Sequence, residues 1–380
     1  MLGSALTLVT LEHISLTFSN QSPTTQLHNC RKMSDTSPAS SSGSRTSPSS
    51  VSDHSGVTLY HIGFEFRAHR HIPLSPSGRS YHIPLSPNPF DWRHSSQFKA
   101  CLSRPPLDGT IHENQFIDLK VTTELRTVDQ KGAQIVVVNE SMVAKIYDPL
   151  YYPAIDDLLG EKNDVVRDAD TDYCCEAAAY NELIPSSLQG NSIPEFYDPW
   201  AINITQDDSI RQVPMILIEL IDGICMNDLD PKSLSEEKRN TIITRVLEAE
   251  AQVFHHGVCH RDLHPRNIVI SPRRFPSDLS VTPKTRIVLV DFNIAQVERL
   301  AGGVPSKSVR SKMISPAYRQ WGHLSDFVAL GWIPEDKQAD HREWLWKSFE
   351  HDERFVRMRR SEVNLRRRPY LVEPEKELGS

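Results

Sequence analysis

One stretch of this sequence constrains the chain more than any other: residues 260–267, taken together with an acidic site at Asp291. The stretch is His-Arg-Asp-Leu-His-Pro-Arg-Asn, so that Asp262 and Asn267 lie five residues apart. An apolar triplet follows at once, and a second apolar run, 287–290, ends directly at Asp291. This pattern predicts a loop, a short strand, a return strand and then a carboxylate.

Two carboxylates and one amide at these positions suit the transfer of a phosphoryl group from ATP. That reaction needs an Asp to orient the acceptor hydroxyl, and an Asn and a second Asp to hold magnesium on the phosphates. We expect Asp262 in the first role, and Asn267 and Asp291 as the ligands of Mg²⁺. His260 is expected to be a buried scaffold residue that bonds to the backbone near Asp291. An Asp after a Val-rich strand also often caps a turn, but the four residues together favour the functional interpretation.

The same residues resemble the catalytic loop and the metal-binding D-F-G of the protein kinase superfamily. The resemblance covers residues 115–350 and is strongest at 253–297. It implies an α+β, bilobal fold with a small antiparallel-sheet lobe, one helix and a shortened, mainly helical large lobe. The Gly-Trp-Ile-Pro segment at 331–334 and the Trp-Leu-Trp segment at 344–346 are similar to segments of the divergent kinase-like proteins of filamentous fungi.

Lys145 lies in a Val-Ala-Lys-Ile run on the third of three predicted strands and resembles the kinase lysine that contacts the α- and β-phosphates. A lysine between apolar neighbours needs a partner, because a lone buried ammonium is costly. We expect Glu176 to supply it, on a helix predicted between an Asp172 N-cap and Pro185. Glu182 and Asp172 are the alternative partners, and an exposed lysine on an edge strand is the alternative for Lys145 itself.

Two further places are predicted to bind the nucleotide. The apolar strand that contains Ile218, Glu219, Leu220 and Ile221 would form the hinge, with its backbone bonded to the adenine edge. Gly132 is the single glycine between the first two strands, where kinases have G-x-G-x-x-G. Because glycines let backbone N–H groups approach a phosphate, this departure is the main sequence argument against nucleotide binding.

Two other positions differ from the kinase pattern. His264 stands where protein kinases place a Lys, which favours aminoglycoside-phosphotransferase-like and other atypical kinases, and Asn293 replaces the Gly of D-F-G. Arg261 is expected to meet a phosphate of the activation loop; otherwise it and Arg266 would face solvent. Three interpretations stay open: a kinase for protein Ser or Thr, a small-molecule kinase, and a non-catalytic pseudokinase scaffold.

Composition divides the chain into three parts. Residues 1–110 are predicted to be a disordered Ser/Pro-rich tail, because 34–55 hold almost no apolar side chain that could offset chain entropy. Residues 111–222 would form the N-lobe, and 223–380 a shortened C-lobe with a basic C-terminal segment. That segment carries seven arginines between 354 and 368, which form either a solvated helix face or a phosphate-binding or nuclear-localisation patch.

The remaining composition limits the partners. A net charge of −7 gives no general attraction to nucleic acid. No run of apolar residues is long enough to predict a transmembrane helix. The six cysteines form no C-x-x-C pair, which favours reduced thiols in the cytoplasm or nucleus. We therefore expect ATP, Mg²⁺ and a hydroxyl acceptor as partners, and neither a membrane nor specific nucleic acid.

Overall fold

The computed structural model describes residues 59–78, 81, 92–103, 107–156, 159–206, 209–272, 285–304, 306–333, 341–361, 364 and 367–372. The predicted disorder at 34–55 lies outside these residues and stays a prediction. All of the elements below belong to one structural unit, residues 57–155 and 162–380.

Six antiparallel strands close into a barrel that forms the N-terminal lobe, in the order β1-β2-β3-β4-β6-β5. The strands are β1 Glu65–Pro73, β2 Gly109–Arg126, β3 Gln134–Val138, β4 Met142–Ile146, β5 Phe196–Gln206 and β6 Ser209–Glu219. Alternate residues such as Val136, Val138 and Ala144 pack inside the barrel. Side chains on the opposite face of β4, including Val143, join the larger core of the molecule. Closure leaves the barrel without exposed strand edges.

β1 corrects the predicted start of order. It pairs with β2 from Glu65 opposite Lys120 to Pro73 opposite Gly109, and also with β5. The prediction that residues 1–110 are a tail is therefore wrong for this strand. The strand was missed because it is rich in Arg and His and because its pairing partners lie far along the chain. The pattern of buried and exposed residues in β1 is explained only by its pairing with β2 and β5 in the closed barrel.

Residues 92–103 are also part of the folded lobe. Helix α1 covers Gln97–Leu102, and the Ser96 side chain caps it by accepting a bond from the Lys99 amide. The Gln97 side-chain amide donates to the carbonyl oxygens of Pro149, Leu150 and Tyr152 at 2.8 to 3.0 Å. These contacts fasten α1 to the turn that follows β4.

The helix that packs against the outer face of the barrel, α2, covers Val165–Leu183 and begins earlier than predicted. Its N-cap is Asp164, whose carboxylate accepts from the Arg167 amide at 3.3 Å. The expected start at Asp172 is therefore wrong. The first two turns bury only Val165 and Ala169, so their apolar periodicity is too weak to predict a helix. The helix ends two residues before Pro185, as predicted.

The second lobe is mainly helical and contains short strands. Its elements are β7 Ile224–Cys225, α3 Glu236–His255, β8 Val258–Cys259, β9 Ile268–Ser271, β10 Arg286–Leu289, β11 Gln296–Val297, α4 Ser306–Val309, α5 Pro316–Arg319, α6 Ser325–Ala329, α7 His341–Phe349, β12 Met358–Arg359 and β13 Tyr370–Leu371. β10, β9 and β7 form a three-stranded sheet, while β11 pairs with β8 and β12 with β13. This is the α+β, bilobal architecture that the sequence predicts. Within the described ranges, every helix is too short or too polar to span a bilayer.

A column of aromatic rings connects α2 with the second lobe. Tyr180 stacks on Phe196 at 5.0 Å between ring centroids and meets Phe292 edge-on at 5.2 Å. Phe292 in turn lies 4.6 Å from the His260 ring. Tyr180 and Phe292 are fully buried, so their packing fixes α2 relative to the residue 260–267 loop.

Candidate active site

Lys145 is the centre of an ion cluster in which Lys145 and Glu176 are buried and the Asp291 side chain is one-quarter exposed. It lies on β4 with its side chain toward α2, and its Nζ is 2.5 Å from Glu176 Oε2 and 2.5 Å from Asp291 Oδ1. The Tyr147 hydroxyl also donates to Glu176 Oε2 at 2.7 Å. Three charged residues from separate parts of the sequence therefore meet at one point. The edge-strand alternative for Lys145 is wrong, since β4 lies between β3 and β6 and the side chain is buried.

The other candidates for the partner of Lys145 are engaged elsewhere. Glu182 pairs with Arg299 at 3.0 Å. Asp172 accepts from the Asn293 side chain and from the Tyr152 hydroxyl, each at 3.2 Å. The first of these bonds attaches the segment after Asp291 to α2, and the second attaches the turn after β4 to α2.

The charges in the cluster shift one another's pKa. Burial acts to lower the pKa of Lys145, but Asp291 and Glu176 outweigh it and the pKa is raised. Burial raises the pKa of Glu176, against the opposing effect of Lys145. Burial acts to raise the pKa of Asp291, but Lys145 and Arg126 lower it to about 2. One amine therefore serves two carboxylates, and Asp291 carries negative charge that Lys145 does not fully balance.

The loop at residues 260–267 holds Asp262 against Asn267. The Asn267 amide donates to Asp262 Oδ2 at 2.8 Å and to the Asp262 carbonyl oxygen at 3.0 Å. Arg266 Nη2 contacts both Asp262 carboxylate oxygens, at 2.8 and 2.7 Å. The expectation that Arg266 simply faces solvent is therefore wrong. Residues 262–264 are not helical and 265–267 form a 3₁₀ turn, so no helical spacing predicts this pair.

His264 and Arg266 have different surroundings. The His264 Nδ1 accepts from the Arg266 amide at 3.1 Å and caps a short 3₁₀ turn. Burial, with a smaller effect of Arg266, lowers the pKa of His264. His264 is therefore a neutral capping residue near neutral pH, and Arg266 is the cation beside Asp262.

His260 ties this loop to the strand that leads to Asp291. Its Nε2 donates to the Val290 carbonyl at 3.0 Å, and its Nδ1 accepts from the Asp262 amide at 3.3 Å. Burial lowers the pKa of His260, so the neutral imidazole satisfies both bonds. The predicted backbone contact near Asp291 is thus present.

Arg261 and Asp291 share an uncommon backbone conformation, with φ of 67° at each. Residues with a side chain rarely occupy this left-handed region, and they cluster at functional sites when the surrounding structure holds them there. The bonds of His260 to the neighbouring Asp262 amide and Val290 carbonyl supply that support.

Two oxygens in the site are suited to a metal ion. Asn267 uses its Nδ2 and Asp291 its Oδ1 for the bonds given above, and Asn267 Oδ1 and Asp291 Oδ2 accept no hydrogen bond from the described residues. Magnesium typically takes one or two protein oxygens and keeps phosphate or water ligands. Within the described ranges, no group of three or more His, Cys, Asp or Glu residues could hold a metal. The donor set therefore fits Mg²⁺ that arrives with phosphates.

Residues 218–221 lie where the chain leaves the barrel for the second lobe. Glu219 ends β6, and its carboxylate forms two bonds to Arg286, at 2.6 and 2.9 Å. Ile218 is buried, and within the described part of the chain the backbones of residues 220 and 221 make no hydrogen bond. At Gly223 a Cβ would lie 2.3 Å from Val269 Cγ1, so only glycine allows this close approach of the connection to β9.

The loop between β2 and β3 folds back onto the turn after β4. Gly132 has φ of 81°, and its amide donates to the Tyr151 carbonyl at 2.9 Å. Arg126, at the end of β2, lies opposite Ile135, which lies opposite Lys145. Since cross-strand partners point to the same side of a sheet, Arg126 shares the face of Lys145. The sequence does not predict this position of Arg126, because a bulge precedes Arg126 in β2.

Residues 153–299 match the ABC1 atypical kinase-like domain family. Within these residues the chain is similar to a kinase-like domain. The match includes α2 with Glu176, the 218–221 connection, the 260–267 loop and Asp291, and it begins after Lys145. The family match and the two observed lobes both support a kinase-like fold.

Among solved structures, the domain is similar to the Mycobacterium tuberculosis PknI kinase domain. That structure has 19% identity and a TM-score of 0.32 over 56% of this chain and 73% of that chain. A single-residue mutant of the same kinase domain gives 17% identity and a TM-score of 0.33 over the same shares. No curated protein matches this chain.

Proposed function

We propose that this kinase-like protein is an ATP-dependent phosphotransferase that moves the γ-phosphate of Mg·ATP to a hydroxyl, with Ser or Thr of a protein as the acceptor. The observation that carries the proposal is the Lys145 amine held 2.5 Å from both Glu176 and Asp291. Two carboxylates share this one amine, with the charge of Arg126 nearby, so the cluster can accept a further cation. Magnesium on the nucleotide phosphates would be that cation.

Each residue of the site has a role under this proposal. Lys145 binds the α- and β-phosphates, Glu176 positions its amine, and Asn267 and Asp291 hold Mg²⁺. Magnesium, when bound, would neutralise phosphate charge and orient the γ-phosphate. The backbone of residues 218–221 binds the adenine edge, and its unbonded groups at 220 and 221 support that role.

Asp262 orients the acceptor hydroxyl and accepts its proton. Arg266, bonded to both Asp262 oxygens, supplies the positive charge that a lysine provides in protein kinases. The neutral state and capping bond of His264 support this assignment, because they leave Arg266 as the cation nearest Asp262. Arg266 also holds the Asp262 carboxylate in one orientation.

Phosphate binding at the barrel is assigned to Arg126, because the Gly132 amide, which was predicted to contribute, already donates to the Tyr151 carbonyl. The single glycine offers fewer backbone N–H groups than a glycine-rich loop. Arg126 compensates with charge, since it lies on the face of Lys145 and helps to lower the pKa of Asp291.

Each of two alternatives has one observation in its favour. A non-catalytic scaffold is favoured by the pairing of Asp262 with Arg266, because an acceptor hydroxyl must compete with that pair. A small-molecule kinase is favoured by the shortness of α4, α5 and α6, which leaves little helical surface for a peptide.

The test is a phosphotransfer assay with labelled ATP and Mg²⁺, a Ser/Thr peptide library and a panel of aminoglycosides. We expect peptide labelling by the wild type and a loss of about 10²- to 10⁴-fold in Asp262→Asn, the usual size for a proton-accepting group. Asp118→Asn, which alters only an exposed ion pair with Arg67, is the matched control and should retain full activity.

Labelling of aminoglycosides alone would establish the small-molecule alternative. Absence of transfer to every acceptor, with the protein folded and Mg·ATP bound, would favour the scaffold. Equal transfer by the wild type and Asp262→Asn would contradict the role of Asp262.

A further inference from the structure

A basic cavity of about 1210 Å³ lies outside the proposed active site. Five arginines line it: Arg310, Arg359, Arg360, Arg367 and Arg368. Arg310 follows α4, whereas the other four belong to the β12–β13 hairpin region. The cavity therefore joins the segment after Asp291 to the basic C-terminal segment.

The cavity carries a surplus of positive charge. Arg360 pairs with Glu343, which also pairs with Lys347 at 3.5 Å. Across the residues that the structure describes, Arg310, Arg359 and Arg367 form no ion pair. The chain as a whole has a net charge of −7, so this is a local concentration of the opposite sign. Such a field attracts anionic ligands and raises their rate of association.

Two of these arginines are held in place by aromatic rings. The Arg368 guanidinium lies 4.1 Å from the centre of the Tyr318 ring, and its Nε donates to the Tyr318 carbonyl at 2.6 Å. The Arg360 guanidinium lies 5.5 Å from the Trp321 ring and 5.9 Å from the Trp346 ring. Immobilised guanidinium groups lose little entropy when they bind a phosphate through two parallel bonds.

The same contacts favour a peptide over a nucleic acid. Tyr318 and Trp346 line the cavity, and Arg368 already covers one face of the Tyr318 ring, which a nucleic-acid base would need for stacking. The volume also exceeds the range of about 300–1,000 Å³ that is usual for a small ligand. An extended, phosphate-bearing polypeptide fits both observations.

The cavity is connected to the loop that holds Asp262. Tyr318 lies on α5, and its neighbour Arg319 pairs with Glu250 and lies 3.8 Å from Cys259 Sγ. Cys259 directly precedes His260. A polypeptide held in the cavity therefore lies next to α5, and α5 contacts the start of the 260–267 loop through Arg319.

We propose that this cavity docks a phosphorylated segment of the protein acceptor, so that the protein selects substrates that already carry phosphate. The inference rests on the proposed function, because it names the class of acceptor for the same site. Arginine–phosphate bonds provide the selection, since each is charge-assisted and often bidentate.

The test uses fluorescence anisotropy with the full chain and two labelled peptides that differ only in two phosphoserines. We expect the phosphorylated peptide to bind at least about tenfold more tightly, as two or more charge-assisted bonds require. Arg359→Ala combined with Arg367→Ala should remove most of that difference in affinity. Arg310→Ala alone should remove part of it. Arg357→Ala is the matched control, because Arg357 is exposed beside β12 but does not line the cavity.

Several results would overturn the inference. Equal weakening by Arg357→Ala would show general charge attraction instead of a site. Stronger binding of a single-stranded oligonucleotide, or of inorganic tripolyphosphate, would assign the cavity to another ligand. Equal binding of the two peptides would remove the selection altogether.

The docking inference and the proposed function fail in different ways. Binding is measured without nucleotide, so it does not depend on phosphotransfer. Phosphopeptide binding without phosphotransfer would contradict the proposed function alone. Phosphotransfer with equal activity on both peptides would contradict the docking inference alone.

Discussion

Two buried ion clusters in this protein use similar residues for different ends. In the barrel, Arg211 binds both oxygens of Asp148, at 2.5 and 2.8 Å, and the Tyr60 hydroxyl donates to the same carboxylate at 2.7 Å. Between the lobes, Lys145 meets Glu176 and Asp291. Arg211 and Asp148 have equal and opposite charges, whereas Lys145 faces two carboxylates.

The difference extends to individual atoms. Both Asp148 oxygens accept bonds, and Oδ1 also accepts from the Leu150 amide at 3.1 Å. Glu176 Oε1 has no hydrogen-bond partner although it is buried, and Asp291 Oδ2 accepts nothing from the described residues. The Asp148–Arg211 pair is balanced in charge and both carboxylate oxygens are bonded, although Arg211 Nε has no partner among the described residues. An unbalanced cluster is tolerated where function requires it. The comparison therefore separates a structural cluster from the cluster at the proposed nucleotide site.

The largest effect on stability is expected at the barrel pair. Asp148→Asn leaves the Arg211 charge buried without its carboxylate, which should lower the free energy of unfolding by about 3–5 kcal/mol. Urea denaturation followed by circular dichroism measures this. A loss below about 1 kcal/mol is the usual size for an exposed pair, and it would contradict the structural role of the Asp148–Arg211 pair.

A smaller loss is expected at the interlobe cluster. Asp291→Asn removes one of two carboxylates that share Lys145, and Glu176 remains as a partner. Because repulsion between the carboxylates is relieved as one bond is lost, we expect a cost of about 1–2 kcal/mol by the same urea assay. A loss equal to that of Asp148→Asn would show that Asp291 is chiefly structural.

The smallest effect is a dependence of stability on pH near His260. Its pKa is lowered from 6.5 in the folded state, so as the pH falls the unfolded chain takes up the proton first. The contribution is therefore fully present above pH 6.5 and is lost progressively below it. His255 and His264 act in the same direction.

His260→Gln should remove part of this slope, so that the variant's free energy of unfolding changes less between pH 7 and pH 5 than that of the wild type. His61→Gln, at an exposed residue whose imidazole bonds the neighbouring Ile62 carbonyl, is the control and should keep the slope. An unchanged slope in His260→Gln would contradict the neutral, buried state of His260.

The sequence predicted most of the residues that meet at the site. Lys145, Glu176, Asp262, Asn267 and Asp291 stand in short motifs whose chemistry is local, so their spacing was enough to bring them together. The predicted backbone bond of His260 also depends on such a motif. Their catalytic and metal-binding roles stay predictions.

What the sequence did not predict depends on contacts between distant segments. β1 acquires its partners only when the barrel closes, and the Asp148–Arg211 pair joins residues that no motif connects. Arg126 reaches the face of Lys145 through a bulge, which changes the direction of side chains in a way that strict alternation does not predict. The first turns of α2 were missed because Asp164 and Asp172 are equally good caps by sequence.

The most direct test of the central claim is the melting temperature with Mg·ATP, with ATP and EDTA, and with neither, in the wild type and in Asp291→Asn. Ligand at about one hundred times its dissociation constant stabilises the folded state by about 2.7 kcal/mol, which raises the melting temperature by several degrees. We predict that shift for the wild type only when Mg²⁺ is present, and its loss in Asp291→Asn. The same shift in both proteins, or none in the wild type at saturating Mg·ATP, would contradict a magnesium–nucleotide site at Lys145 and Asp291.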